Sequence, residues 1–345
     1  MAMKVYTIEQ SEEWDAVVRT FKDYDVYWLS GYVKAFHIHG DGEPLLFYYE
    51  DKNTRGINVV FKRDVAKDIH FKDFLRKNEY FDFSTPYGYG GWIVEGDNKA
   101  ALFSSYEKWC SDNGIISEFV RFHPVVKNHI FSESTYDVIP LGQTIAMDLS
   151  SPEIIWENII SKNRNMIRKA EKSGVKIFSG RSEELYKVFI DIYNSTMEHD
   201  NAEEYYYFKP EFYNSICYDL PENAQVFYAV KDGDIIAASI MIVANGKMNY
   251  HLSGSKFEYR NLAPSNLLLY KAALWGCANG CKTFYLGGGV GSGEDNLFKF
   301  KKSFYRKDDL YRFYIGKKIY LQDKYDELLA MREPIDSNYF PKYRA

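Results

Sequence analysis

An α+β chain of two tandem domains of one type is the fold the sequence predicts. Three observations predict it. The chain has 345 residues, 46% hydrophobic and 26% charged, which is enough to build two cores. A hairpin signal occurs once in each half. After each hairpin comes an amphipathic helix closed by Asn-Gly and followed by an apolar strand. The Asn-Gly stops lie 166 positions apart and the hairpins 180, against a half-length of about 172. The expected division is 1–145 and 146–345.

Each element follows from local pattern. Residues 45–50 (LLFYYE) read as a strand, 51–56 (DKNTRG) as a turn and 57–61 as its partner strand. In the second half VFYAV (226–230), KDGD and IIAASIMIV repeat that logic. The first helix is expected from near Asn98, with Leu102, Phe103, Tyr106, Trp109 and Cys110 at helical spacing. The second is expected from near Ser265, with Leu268, Leu269, Ala272, Ala273 and Trp275. Asn113-Gly114 and Asn279-Gly280 end them, since both residue types tolerate positive φ. ISEFVRF and KTFYLGG then read as strands.

Composition narrows the function. The net charge is −5, so bulk attraction to polyanions is excluded and any basic site is a local patch. MAMKVYTIEQSEEWD has no apolar stretch behind a basic one, so no signal peptide is expected. The longest apolar run, Ile235–Ala244, is about half of what a membrane-spanning helix needs. The four cysteines, Cys110, Cys217, Cys277 and Cys281, read as small core residues in a reducing cytoplasm. Cys277 and Cys281 have no second pair and no nearby His, so no metal site is expected. The 30 Tyr exceed the 23 Gly; that surplus suits either a ring-lined polar groove or a Tyr-rich core.

Three segments can carry chemistry. Lys162–Lys172 (KNRNMIRKAEK) holds five basic residues and one acidic. As a helix it places Ile159, Ile160, Asn163, Met166, Ile167 and Ala170 on one side and Arg164, Arg168 and Lys172 on another, with Gly174 as its stop. Such a face either binds phosphate through the Arg forks or is simply solvated. FKFKKSFYRK (298–307) interleaves Lys299, Lys301, Lys302, Arg306 and Lys307 with aromatic rings. It follows the Gly-rich run 287–293, which can either expose N–H groups to an anion or act as a flexible loop. Glu294 and Asp295 would repel phosphate there. Arg121-Phe122-His123-Pro124 closes a strand, and His123 reads as a general base or as a structural histidine.

Taken together, TPYGYGG (85–91), RFHP (121–124), NRNMIRKAEKSGV (163–175), DGDIIAASIMI (232–242), the run from Arg260 to Gly288 and FKKSF (300–304) resemble the FemABX peptidyltransferases. That resemblance implies two tandem GNAT-like acyltransferase domains, each a mixed sheet flanked by helices. It implies transfer of an aminoacyl group to an amine on a peptidoglycan precursor, with aminoacyl-tRNA as donor. It places Lys301 at the family's functional lysine, and Arg164 and Arg168 beside the same groove. Lys34 of YVKAF corresponds loosely to a lysine that contacts the precursor's diphosphate. Family members often carry an acidic residue before the proline that here follows His123, so His123 becomes the local base. Arg121, Lys302, Tyr87, Tyr89 and Tyr285 are expected to line the substrate site.

Two departures narrow the resemblance. About 50 residues separate the basic helix from the next expected strand, too few for the long helical arm of staphylococcal-type members. GNAT enzymes hold coenzyme A pyrophosphate on a Gly-containing turn before the helix that here starts near Ser265. This chain has Arg260-Asn261-Leu262-Ala263-Pro264 there, and Pro264 lacks an N–H. No cofactor is therefore expected. A membrane-bound precursor would be met by peripheral contact only. The alternatives are an acyl-CoA-type N-acyltransferase acting on a nucleotide sugar or surface polysaccharide, and a non-catalytic module binding RNA or precursor.

Overall fold

A computed structural model describes residues 3–333 and 337–345. The chain divides into two compact units, one made of residues up to Leu141 together with Phe313–Ala345, the other of Gly142–Arg312.

In the first unit, Glu43–Glu50 and Thr54–Asp64 form an antiparallel hairpin. Its turn is tight because the Asp51 carboxylate accepts from the N–H of Asn53 and of Thr54, both at 2.8 Å. The second strand therefore starts three residues earlier than the pattern predicts. Lys4–Tyr6 adds antiparallel at one edge, and Phe81–Ser84 and Ile93–Gly96 pair with Thr54–Asp64. The helix Lys99–Asp112 then leads into Ile115–Arg121, which lies parallel to Phe81–Ser84. Phe47, Phe83, Trp92, Leu102, Tyr106 and Phe122 form the core between this helix and the sheet. Gly56 makes the close approach possible, since a Cβ there would sit 2.5 Å from Leu102 Cδ1.

The second unit repeats the plan. Ala224–Lys231 and Asp234–Ala244 form the hairpin, Lys247–Ser255 is the third strand, and the helix Pro264–Ala278 leads into Thr283–Gly287, parallel to that third strand. Gly114 and Gly280 end the two equivalent helices at φ 70° and 80°. The basic segment is the helix Ser161–Lys172, with Asn163, Ile167 and Ala170 buried against the core of Met147, Phe227, Leu268 and Phe284. The strand Lys176–Gly180 and the helices Glu183–His199 and Pro210–Asp219 occupy the stretch before the hairpin.

The closing strands depart from the expected division at 145. Asp137–Asp148 follows the first unit's last strand in sequence, yet its residues Ile145–Asp148 pair with Thr283–Gly287 in the second unit. Tyr311–Ile319 follows the second unit's strand, yet Ile315–Ile319 pair with Ser117–Arg121 in the first. Residues 313–345, expected in the second domain, thus complete the first unit's sheet. The same is true of its core, where Tyr325, Leu328 and Tyr343 pack on Val65, Phe71 and Ile116.

Candidate functional site

Lys301 lies in the short helix Asn296–Lys302 of the second unit, capped by Asp295. The apolar rings of FKFKKSF set its position: Phe298 and Phe304 are buried in the core, which draws Lys301 inward with them. The residue is 9% exposed, and its Nζ donates to the Gly288 carbonyl at 2.7 Å. The Tyr250 ring lies 6.0 Å away, and among the described residues no carboxylate forms an ion pair with Lys301. Burial depresses its pKa to about 8, with Asp295 opposing from a distance. A buried ammonium with one neutral acceptor is a strong hydrogen-bond donor for developing negative charge.

Part of the N–H capacity of the Gly-rich run and of the helix start after it is taken by the chain itself. The Asp295 carboxylate accepts from Val290 N at 2.9 Å and from Phe298 N at 2.8 Å, and these bonds hold it below the usual carboxylate range. The chain's own carboxylate thus sits at the helix start that follows the run. Lys302 turns away to its own loop, donating to the Lys307 carbonyl and pairing with Asp308 at 3.5 Å. Tyr285, expected to line a groove, is 3% exposed in the strand Thr283–Gly287.

Arg164 and Arg168 do lie together, and the reason is a residue the sequence reading missed. Trp156 lies beneath both, with its ring 5.9 Å from the Arg164 guanidinium and 5.1 Å from that of Arg168. Tyr270 adds a second ring at 5.1 Å from the indole. Neither arginine has a carboxylate within ion-pair distance among the described residues; Arg168 donates only to Asn165 Oδ1, at 3.3 Å. Guanidinium groups placed over one ring in this way carry donors of the kind that phosphate oxygens accept from.

The helix Pro264–Ala278 begins where a GNAT domain would hold coenzyme A pyrophosphate. Here Ala263 caps it in the left-handed region (φ 56°) and Pro264 fills its first position. The Ala263 N–H is taken by the Arg260 carbonyl at 3.1 Å. One donor of this turn is used and another is missing, so the turn is poorer in N–H groups for a pyrophosphate than a Gly-containing one.

In the first unit, Tyr89 and His123 gather around Tyr27, and the Arg121 guanidinium lies 6.0 Å from the Tyr89 ring. His123 is fully buried, and its Nε2 meets the equally buried Asp25 Oδ2 at 2.9 Å. Its Nδ1 accepts from the N–H of Val125 and of Val126, both at 3.2 Å. Those acceptor bonds place the proton on Nε2, which donates to Asp25. Tyr27, Trp28 and Tyr89 pack around the ring at 5.3–6.0 Å. As placed, His123 has both nitrogens engaged inside the protein, which argues against a general base. Arg121 Nε donates to the Gly88 carbonyl at 2.9 Å, and its guanidinium lies 4.9 Å from the Phe313 ring, so it braces the TPYGYGG loop. Tyr87 stacks on Phe36 at 5.2 Å, and the Tyr32 hydroxyl donates to the Tyr87 carbonyl. Lys34, half-buried, belongs to the same helix Ser30–His39.

Asp25 was also missed; it lies 98 positions from His123 and shows no motif. The one available signal was its place as an N-cap before Val26.

Residues 160–302 match the family model described as an acetyltransferase (GNAT) domain. The second unit is therefore a GNAT-type acyltransferase domain. The solved structure of FemX is similar over 96% of this chain and 100% of its own, with a TM-score of 0.70 and 15% identity. The C-terminal domain of a protein described as a lysylphosphatidylglycerol synthetase from Agrobacterium fabrum is similar over 90% of this chain and 91% of its own, with a TM-score of 0.55 and 14% identity. A tandem GNAT protein from the clavulanic acid biosynthesis pathway is similar over 92% of this chain and 99% of its own, with a TM-score of 0.50 and 7% identity. The fold is thus the tandem GNAT fold, with mixed sheets flanked by helices. No curated protein matches the chain in sequence.

Proposed function

We propose that the protein is a FemABX-like aminoacyltransferase that forms an amide on an amine of a peptidoglycan precursor, with aminoacyl-tRNA as donor. The observation that carries it is Lys301: a buried ammonium with a pKa depressed to about 8, inside a GNAT domain whose coenzyme A turn has Pro264 in place of an N–H donor. The acceptor amine attacks the ester carbonyl; the new C–N bond forms, and the C–O bond to the ribose breaks. Lys301, mostly protonated near neutral pH, donates to the tetrahedral oxyanion. The ribose oxygen leaves with a proton that the acceptor ammonium gives up. His123 is not assigned that transfer, because both its nitrogens are engaged; a substrate phosphate serves as the local acceptor. On the second unit Arg164 and Arg168 hold a substrate phosphate; on the first, taken by itself, Lys34 has that role, with Tyr87, Tyr89 and Arg121 on the same unit.

The test mixes purified protein with charged tRNA or acyl-CoA and a panel of cell-wall precursors, with product mass as the readout. Transfer from charged tRNA, lost in Lys301→Ala, supports the reading. Transfer from acyl-CoA overturns the donor, and no transfer from any donor overturns the activity.

A further inference from the structure

The loop between Asp64 and Phe81 in the first unit is built to present apolar side chains rather than hide them. Ile69 and Phe74, five positions apart on this loop, are each 73% exposed, among the most exposed large apolar side chains of the described residues. The loop is nevertheless held in shape. Lys72 N donates to the Asp68 carbonyl and Leu75 N to the Phe71 carbonyl, at 2.9 and 3.0 Å, which winds it into helical turns. Phe71 is fully buried and meets the Tyr343 ring at 6.0 Å, and Leu75 packs on the same small core. The Asp68 carboxylate accepts from His70 N at 3.0 Å and pairs with Arg344 at 2.9 Å. Phe71 and Leu75 thus anchor the inner side while Ile69 and Phe74 stand on the outer one.

The charges around them have a sign. Residues 67–79 carry Lys67, Lys72, Arg76 and Lys77 against Asp68, Asp73 and Glu79. Asp68 is neutralised by Arg344, which leaves four cations to two anions in a chain whose net charge is −5. All four cations and both anions are exposed. An exposed aromatic and a branched aliphatic side chain on a loop rich in exposed lysine and arginine fit the interface of an anionic bilayer. There the rings sit at the acyl boundary and each cation near the surface adds about 1 kcal/mol.

We propose that the 67–79 loop is a peripheral docking surface for anionic lipid membranes. It extends the reading above to an acceptor carried on lipid, but the binding itself does not depend on that reading. The test is co-sedimentation of the full chain with phosphatidylglycerol-containing vesicles and with pure phosphatidylcholine vesicles. The anionic vesicles should bind it, and binding should fall at least about tenfold in Ile69→Ser/Phe74→Ser and in Lys72→Glu/Arg76→Glu. Emission from Phe74→Trp should shift to the blue on adding anionic vesicles. Equal binding by wild type and the apolar double variant, or binding to neither vesicle, would overturn the proposal. So would self-association that Phe74→Ser abolishes, since the loop's occupant would then be a second copy. Transfer to a water-soluble acceptor, measured on the same variants, should be unchanged; its absence in the wild type would sink the enzymatic reading while leaving the vesicle result standing.

Discussion

The two units treat buried charge in opposite ways. In the first, each buried carboxylate has several partners. Asp82, fully buried, pairs with Arg63 at 2.6 Å and with Arg344, and accepts from the Tyr343 hydroxyl at 3.1 Å. Glu118, also fully buried, accepts from Tyr320 at 2.6 Å, Tyr136 at 2.8 Å, Tyr106 at 3.1 Å and Asn58 at 3.1 Å. Burial still raises its pKa, and those bonds only partly offset it. In the second unit, Lys301 is buried against a single carbonyl. Satisfied charges fix a structure, whereas an under-satisfied ammonium keeps capacity for a ligand.

The comparison is broken most directly at Asp82. Asp82→Ala leaves two guanidinium groups without their shared carboxylate, and the expected cost is about 3–5 kcal/mol in urea unfolding. A loss below about 1 kcal/mol would show that the network adds nothing beyond surface pairing.

Lys301→Met should do the reverse in stability while removing function. Transfer should fall by about 10²–10³-fold, the usual loss when an oxyanion donor is removed. Stability at pH 7 should rise, by at most about 3 kcal/mol, because the folded state no longer holds a desolvated ammonium. The pH dependence has a definite sign. Between pH 8 and the ordinary lysine value of 10.5, the unfolded chain holds a proton at this residue and the folded chain does not. Wild-type stability therefore gains on the variant as pH rises through that window, and below pH 8 the full penalty is present. Thermal melts of both proteins at pH 7 and pH 10 decide it; a variant less stable at pH 7 would mean that Lys301 has a structural partner's role.

His123→Gln tests the first unit's side of the contrast. A glutamine whose amide nitrogen donates to Asp25 does not set its oxygen where the imidazole Nδ1 accepts from Val125 and Val126, so a cost of about 1–3 kcal/mol is expected with transfer nearly intact. A drop in kcat of about 10² or more in a folded variant would restore a proton-transfer role.

What the sequence made legible was local. The hairpins, the two equivalent helices and their Asn-Gly stops all rest on short-range patterns, and the structure has them within a few residues. The basic helix was legible because its apolar and cationic residues separate at helical spacing. The closing strands were not, because the pairing of Ile315 with Arg121 joins residues far apart in sequence and leaves no local trace. The same holds for Asp25 with His123, and for Tyr320, which reaches Glu118 across 202 positions. The Tyr surplus reads differently as a result: Tyr106, Tyr136 and Tyr320 supply hydroxyl donors to a buried carboxylate, a use between the groove and the plain core. Trp156 escaped because nothing in its local sequence ties it to Arg164 and Arg168.

That indole also supplies the smallest test. Two guanidinium groups one helical turn apart repel each other, and the ring face at 5.9 and 5.1 Å holds them side by side without a carboxylate. If they grip RNA phosphates, Arg168→Gln should lower the steepness of log affinity against log salt by about 0.7, the value for one single-strand phosphate contact. Trp156→Ala leaves every charge in place, so its salt slope should match the wild type. Its affinity should nonetheless fall, by the roughly 0.5–1 kcal/mol that an exposed cation–π contact supplies. Equal affinity in Trp156→Ala would show that the ring does not pre-order the arginines. An unchanged slope in Arg168→Gln would show that the basic face is only solvated, like the exposed charges elsewhere on the second unit.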